Sequence, residues 1–317
     1  VIAEIVFFAA LALLAYTFAG YAVLVEVWAR VANRAVRPGR FEPQVAIVVV
    51  VHNGAAIIRA KIESCLAQDY PAGRLRVLVV SDGSDDDTCA IVTAMGDARV
   101  RLLAFPNRRG KAACLNDAAR ECDEEVIVFT DARQPLDPKA VRLLVANLAD
   151  PDVGAVSGGL VFVREGMSGF GASIDAYWRL EKRLRKAEAR VHSSVGVTGA
   201  IYAIRRAHFH EIPADTVLDD VLIPMQAVMD GKRVVFEEGA IAYDRVASDF
   251  RDERRRKVRT LGGNFQLFAR HPEFLAPWRC PIALQAISHK VLRLAAPLLL
   301  AALAAASVIL APHGWFY

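Results

Sequence analysis

The sequence predicts an α/β domain built on a mixed, mainly parallel sheet and carried between two membrane helices. Three observations predict it. From residue 45 to about residue 149, short apolar runs alternate with helical stretches, the pattern of successive βαβ units. Two of those runs end in a carboxylate, RVLVVSDGSDDDT at Asp82 and VIVFTDA at Asp131, and open α/β sheets bind ligands outside the C-terminal ends of their strands. Two long apolar segments lie toward the two ends of the 317-residue chain. Hydrophobic content of 54% is high for a soluble enzyme, while 23% charged residues are too many for a multispan transporter.

Residues 5–29, IVFFAALALLAYTFAGYAVLVEVWA, carry only Glu26 as a charge and exceed the ~20 residues that cross a bilayer. A signal peptide has a shorter apolar core and a small-residue cleavage site, so this segment reads as a retained anchor. VAIVVVV at 45–51 is the first strand, and a helix follows over 57–68 until Asp69-Tyr70-Pro71. RVLVV is the second strand, after which Asp85 or Asp87 caps a helix beginning near Thr88. VRLLAF is the third strand, 110–122 a helix, VIVFT the fourth strand, and Asp137-Pro138 the cap and first turn of a helix through Leu148. Beyond Val153 the sheet turns mixed: VGAVSGGLVFV is a strand, 168–190 a long helix, and VGVTGAIYAIRR another strand. A helix follows Asp219-Asp220 within 216–230, and RVVFEEGAIAYD supplies one or two strands. Residues 251–270 form a basic amphipathic helix with Val258, Leu261, Phe265 and Phe268 on one face, suited to a membrane surface. The second apolar segment, 294–311, is just long enough to span, with Pro297 at a kink or first turn. The expected organisation is a span at 1–30, the α/β domain at 43–248, interfacial helices at 249–290 and a second span at 294–313.

Arg30, Arg34, Arg37 and Arg40 follow the first span, and Lys290 and Arg293 precede the second. The positive-inside rule then places the intervening domain in the cytoplasm, on an integral protein of the inner membrane if the cell is bacterial. A net charge of +4 is too small to point to nucleic acid. Cys65, Cys89, Cys114, Cys122 and Cys280 form no CxxC pair and no cluster with histidine, which reads as reduced thiols.

Carboxylates at two strand ends would by themselves repel a nucleotide diphosphate. Asp131 makes chemical sense if it holds a divalent cation that bridges to phosphate. Aspartates at these places also serve as helix caps and turn residues, and that local reading stays open.

Taken in order, VVVHNG, VVSDGSDDDT, GKAACLND, VIVFTDARQ, VTGAIYAIRR, LDDVLIP and RRRKVRTLGGN resemble the membrane-bound family 2 glycosyltransferases. That inverting group includes the cellulose, chitin and hyaluronan synthases, and the resemblance runs over residues 43–270. It implies a GT-A fold, a nucleotide-diphosphate sugar donor and Mg²⁺ or Mn²⁺. His52 stands where the family contacts the nucleobase, and Asp82 where it accepts from the base ring N–H, a match for uracil. Lys111 follows Gly110 at a helix start, where its charge and free backbone N–H groups both meet phosphate. Asp131 matches the first acid of the family's DxD motif, but the chain reads Asp131-Ala132-Arg133 and lacks the second. Either another group completes the metal shell, or Arg133 contacts phosphate directly.

Asp220 in Leu218-Asp219-Asp220 matches the family's general base, which takes the acceptor hydroxyl proton as that oxygen attacks the anomeric carbon. Asp219 would orient it or raise its pKa by like-charge repulsion. Thr198-Gly199-Ala200 matches a small-residue turn lining the donor and acceptor cleft. The basic stretch 254–259 corresponds to the QxxRW motif of processive synthases without its Gln and Trp. Arg259 is left as a diphosphate contact, the stacking platform beneath a growing polysaccharide is gone, and the arginines also suit anionic lipid.

The expected protein is thus an inverting transferase at the cytoplasmic membrane face, moving a UDP-linked sugar to an exopolysaccharide or lipid-linked glycan. The bilayer and export or regulatory subunits are its further partners. Two alternatives stay open: a polyprenyl-phosphate sugar transferase, whose ionised acceptor needs no base, and a non-catalytic nucleotide-sensing membrane scaffold.

Overall fold

The computed structural model describes residues 1–163, 170–245 and 250–313. The chain opens with α1 (Ile2–Ala15) and α2 (Tyr21–Ala32), which run on as one helix through a π turn at Tyr16–Gly20. Seven strands follow: β1 (Val45–Val51), β2 (Leu75–Asp82), β3 (Val100–Phe105), β4 (Val126–Asp131), β5 (Val153–Val163), β6 (Tyr202–Arg205) and β7 (Arg233–Arg245). They form one sheet in the order β3-β2-β1-β4-β6-β5-β7. β1 pairs in parallel with β2 and β4, β2 with β3, and β5 with β7, while β6 runs antiparallel to β4 and β5. The expected mixed, mainly parallel sheet is therefore present. Its strand at 195–206 is shorter than expected, because only Tyr202–Arg205 pairs.

The helices between strands are α3 (Ile58–Leu66), α4 (Thr88–Ala94), α5 (Lys111–Glu121), α6 (Ala140–Asn147), α7 (Phe170–Val191), α8 (Asp219–Met229) and α9 (Phe250–Arg270). Strand side chains alternate between two cores. Val45, Ile47 and Val49 of β1 join Ile58, Ile62, Val92, Val141 and Leu144 on the side of α3, α4 and α6. Ala46 and Val48 join Leu115, Ala118, Leu222 and Met225 on the side of α5 and α8. A strand apolar at every position needs such cover on both faces, and each buried Val, Leu or Ile contributes about 1.5–3 kcal/mol. This two-sided packing fixes the central strands and, with them, the residues that follow their C-terminal ends.

The helix predicted at 251–270 forms as α9, but its apolar residues divide. Val258, Leu261 and Phe265 are exposed by 61%, 50% and 61%, whereas Phe268 packs against the core beside buried Leu267. Phe268 thus leaves the stripe expected to face a membrane.

α10 (Ala283–Ala286), a π turn at Ile287–Val291 and α11 (Leu292–Leu310) form the second apolar helix. Ile2–Ala32 and Ala283–Leu310 are each long and apolar enough to cross a membrane by length and composition. Lys290 and Arg293 lie within this helix rather than ahead of it. α1 packs on α11 through Phe7, Ala306 and Leu310, and α2 on α7 through Tyr21, Val25, Leu184 and Val191.

A buried polar knot ties these helices together. His289 is fully buried, with Nδ1 2.9 Å from Glu188 Oε1 and Nε2 3.0 Å from Glu181 Oε1. The Tyr21 hydroxyl donates to Glu188 at 2.7 Å, and Arg293 donates to Glu181 at 3.2 Å. A neutral imidazole has one N–H, so meeting both carboxylates takes an extra proton on the ring or a carboxyl. Burial opposes charge on Glu181, but His289, Arg185 and Lys290 hold its carboxyl well below the usual carboxylate range. His289→Ala removes one partner from each of two buried carboxylates, which keep Tyr21 and Arg293, and is expected to cost roughly 1–3 kcal/mol, read as a lowered unfolding temperature of the purified full chain. An unchanged unfolding temperature would contradict this account of the knot.

Candidate active site

The C-terminal ends of β1, β2 and β4 meet at one edge of the sheet and bring His52, Asp82 and Asp131 there. His52 is exposed, and its Nδ1 donates to the Asp82 carbonyl at 2.9 Å. Asp82 itself is 4% exposed. Its carboxylate accepts from the backbone N–H of Arg109 at 2.6 Å and of Gly110 at 3.0 Å, holding the loop before α5 against β2. Gly83 permits that approach: its φ is +65°, and a Cβ there would lie 2.4 Å from Arg108 N. At the start of α4, Asp87 holds the expected N-cap position, but its side chain makes no capping hydrogen bond. Asp86 accepts from Thr88 N at 3.0 Å and from Ala55 N at 2.9 Å, while Asp85 N donates to Asn53 Oδ1. In a run of three aspartates, only tertiary contact with the loop after β1 singles out the capping residue.

Lys111, first residue of α5, places its ammonium 3.0 Å from Asp131 Oδ1 and 3.0 Å from Asp219 Oδ2. Burial works against that charge, but Asp219, Asp131 and Asp220 together raise the ammonium above the ordinary lysine range. Asp219 and Asp220 form the first turn of α8 rather than preceding it, where the helix N-terminus favours negative charge. Burial and the Asp219 carboxylate raise the Asp220 carboxyl to about 6, against the opposing pull of Lys111, Lys290 and Arg185. Gly199 lies flat against Asp220; a Cβ there would touch Oδ2 at 3.4 Å. Thr198 Oγ1 accepts from Arg185 at 2.8 Å, and the Ala200 carbonyl accepts from Thr130 Oγ1 at 2.6 Å. Of the expected turn 198–200, Gly199 thus stands beside Asp220.

Arg133 lies in the turn after β4 with its side chain half exposed. Its guanidinium pairs with Asp244 on β7, which also accepts from Gln134. Arg259 is exposed on α9, and no hydrogen bond or ion pair among the described residues joins it to the carboxylates. A cation does fit the crevice: the Lys111 ammonium already stands between Asp131 and Asp219, and Asp219 Oδ2 is buried without a hydrogen bond. Asp131 can therefore hold a divalent ion that shares donor phosphate, although no set of three or more His, Cys, Asp or Glu gathers as a metal site among the described residues.

Lys61 escaped sequence reasoning. Only 2% exposed on α3, it donates to Thr130 Oγ1 at 2.7 Å and to the Gln134 carbonyl at 2.5 Å, bracketing the turn that carries Asp131. Burial pushes its ammonium below the ordinary lysine range, partly offset by Cys65 and Asp131. Arg185, whose charge acts on Asp220, was likewise missed. A period-four acidic and basic pattern on 181–188 was the available signal.

An acidic crevice at the strand ends, a helix start aimed into it and a paired aspartate on the facing helix define a GT-A architecture. The chain belongs to glycosyl transferase family 2, whose profile matches residues 46–212, more than half of its length. It is 28% identical over 170 residues to an N-acetylglucosaminyltransferase of Rhizobium sp. (strain N33), covering 52% of this chain and 38% of that one. It is 25% identical over 238 residues to the pre-mycofactocin glycosyltransferase of Mycobacterium tuberculosis, covering 74% and 49%. The chain spans less than half the length of these curated relatives. Among solved structures, the mannosyltransferase PcManGT from Pyrobaculum calidifontis in complex with GDP-Man and Mn²⁺ superposes with a TM-score of 0.76. It is 28% identical and covers 98% of this chain and 88% of that one. S. aureus TarS, at 16% identity and a TM-score of 0.51 over 64% of this chain and 60% of that one, shares the fold.

Gly83→Ala forces a left-handed backbone on a side chain and overlaps the 107–110 loop. The expected cost is about 1–3 kcal/mol of stability, with weakened nucleotide binding, checked by thermal unfolding and by calorimetric titration with UDP. Wild-type values in both would refute the assigned role of this glycine.

Proposed function

We propose that the chain is an inverting glycosyltransferase that moves a sugar from a nucleotide-diphosphate donor, UDP-linked, to a polysaccharide or lipid-linked glycan at the cytoplasmic membrane face. The observation that carries this reading is the convergence of Asp131, Lys111, Asp219 and Asp220 on one strand-end crevice. His52 and Asp82 lie at the end suited to the nucleobase. Lys111, at the N-terminus of α5, pairs with the diphosphate, where helix N–H groups add to its charge. Arg259 belongs to the proposal as a diphosphate contact from α9. Mg²⁺ or Mn²⁺ held by Asp131 would supply charge neutralisation for the leaving diphosphate.

Asp220 takes the proton of the acceptor hydroxyl while that oxygen attacks the anomeric carbon opposite the diphosphate. One C–O bond forms as the bond to the diphosphate breaks, and the configuration inverts. Thr198, Gly199 and Ala200 floor the cleft without crowding the acceptor.

Two helices long and apolar enough to cross a membrane support the membrane anchor, taken as residues 1–30 and 294–313 around a catalytic domain at 43–248. The exposed Val258, Leu261 and Phe265 support an interfacial role for 249–290. The relatives named for N-acetylglucosamine transfer support a glycan product, and export or regulatory subunits are its expected company.

The test is turnover of a panel of UDP- and GDP-sugars by membranes containing the full chain, with Mg²⁺, Mn²⁺ or EDTA. Consumption of one donor, cut at least about 100-fold in Asp131→Ala and in Asp220→Asn, is the expected result. Binding without turnover, the same in both variants, would sink the reading in favour of a nucleotide-sensing scaffold. Activity kept by Asp220→Asn alone would turn the acceptor into a polyprenyl phosphate.

A further inference from the structure

Asp131 Oδ1 and Asp219 Oδ2 face the same ammonium at 3.0 Å each, but the two contacts differ. Lys111 makes a directed hydrogen bond to Asp131. Asp219 Oδ2 makes none among the described residues, although Asp219 is only 7% exposed. Asp219 Oδ2 is thus satisfied by charge alone, through the ion pair with Lys111, and by no directed donor. It is matched best by a compact cation, whose attraction does not depend on donor angle.

The acid that would ordinarily complete the strand-end triplet is absent. Arg133 stands in its place, and its guanidinium is engaged by Asp244, whose side chain is 3% exposed. A magnesium-like cation that shares donor phosphate needs only one or two protein carboxylates. Asp131 is one, and the other carboxylate that meets the Lys111 ammonium is Asp219.

Resting on the glycosyltransferase reading, we propose that Asp219 supplies the second carboxylate for the divalent cation, replacing the acid absent at Arg133. Lys111 is then the resident counter-cation, holding that place until a nucleotide diphosphate draws it away. Its position supports the exchange: it is the first residue of α5, preceded by Gly110 at φ 93°, and its side chain is 41% exposed. Metal and donor diphosphate therefore enter together, while metal alone competes with a built-in ammonium.

The test is a Mn²⁺ titration of the purified full chain in detergent, with and without UDP or GDP, following the paramagnetic resonance signal of free Mn²⁺. Wild type is expected to take up Mn²⁺ strongly only when nucleotide is present. Asp219→Asn and Asp131→Asn should each weaken that uptake at least about tenfold. Lys111→Met should strengthen uptake without nucleotide by a similar factor, a gain that misfolding cannot produce. Mn²⁺ uptake by Asp219→Asn equal to wild type, beside loss in Asp131→Asn, would overturn the proposal. So would nucleotide binding with no Mn²⁺ uptake in any variant, which leaves the glycosyltransferase reading standing. Wild type that binds neither UDP nor GDP would instead bring down that underlying reading.

Discussion

One ammonium, that of Lys111, holds the end of β4, the start of α5 and the start of α8 around a common point. Asp131, Asp219 and Asp220 come from elements far apart in the chain, and carboxylates so placed repel one another unless a cation stands among them. Burial of the lysine works against its charge, yet the three acids prevail. The crevice is thus an acidic arrangement held together by a cation of its own, which is the premise of the exchange proposed above.

Rigid support for that arrangement comes from beneath and beside it. The two-faced burial of β1, β2 and β4 leaves their C-terminal ends little freedom. Lys61 fastens the turn after β4 from inside the sheet's helical layer, while the Asp82 carboxylate fastens the loop before α5. On the other flank, α7 links crevice and apolar helices. Its Arg185 reaches Thr198, and its Glu181 and Glu188 clasp His289.

Much of this was legible in the sequence, for a physical reason. Strands buried on both faces write themselves as uninterrupted Val and Ile runs, as at 45–51 and 126–129. Carboxylates ending such runs mark the binding edge, which is how Asp82 and Asp131 are named from the residues alone, whereas Lys111 and the Asp219-Asp220 pair are named through the resemblance to family 2 glycosyltransferases. What stayed hidden depends on contacts between distant segments. Nothing local distinguishes Lys61 from the solvated lysine expected on a helix, or reveals Asp244 as the partner of Arg133. The same holds for Asp86 over its neighbours as a cap, and for Phe268, turned into the core by the packing of α9. His289 likewise gives no local sign of the two glutamates of α7 that close on it.

The most direct test of the account is a structure of the full chain with UDP and Mn²⁺. The account predicts the diphosphate at the N-terminus of α5, with the Lys111 ammonium moved from Asp219 onto a phosphate oxygen. A nucleotide bound elsewhere, with Lys111 still bridging Asp131 and Asp219, would contradict it.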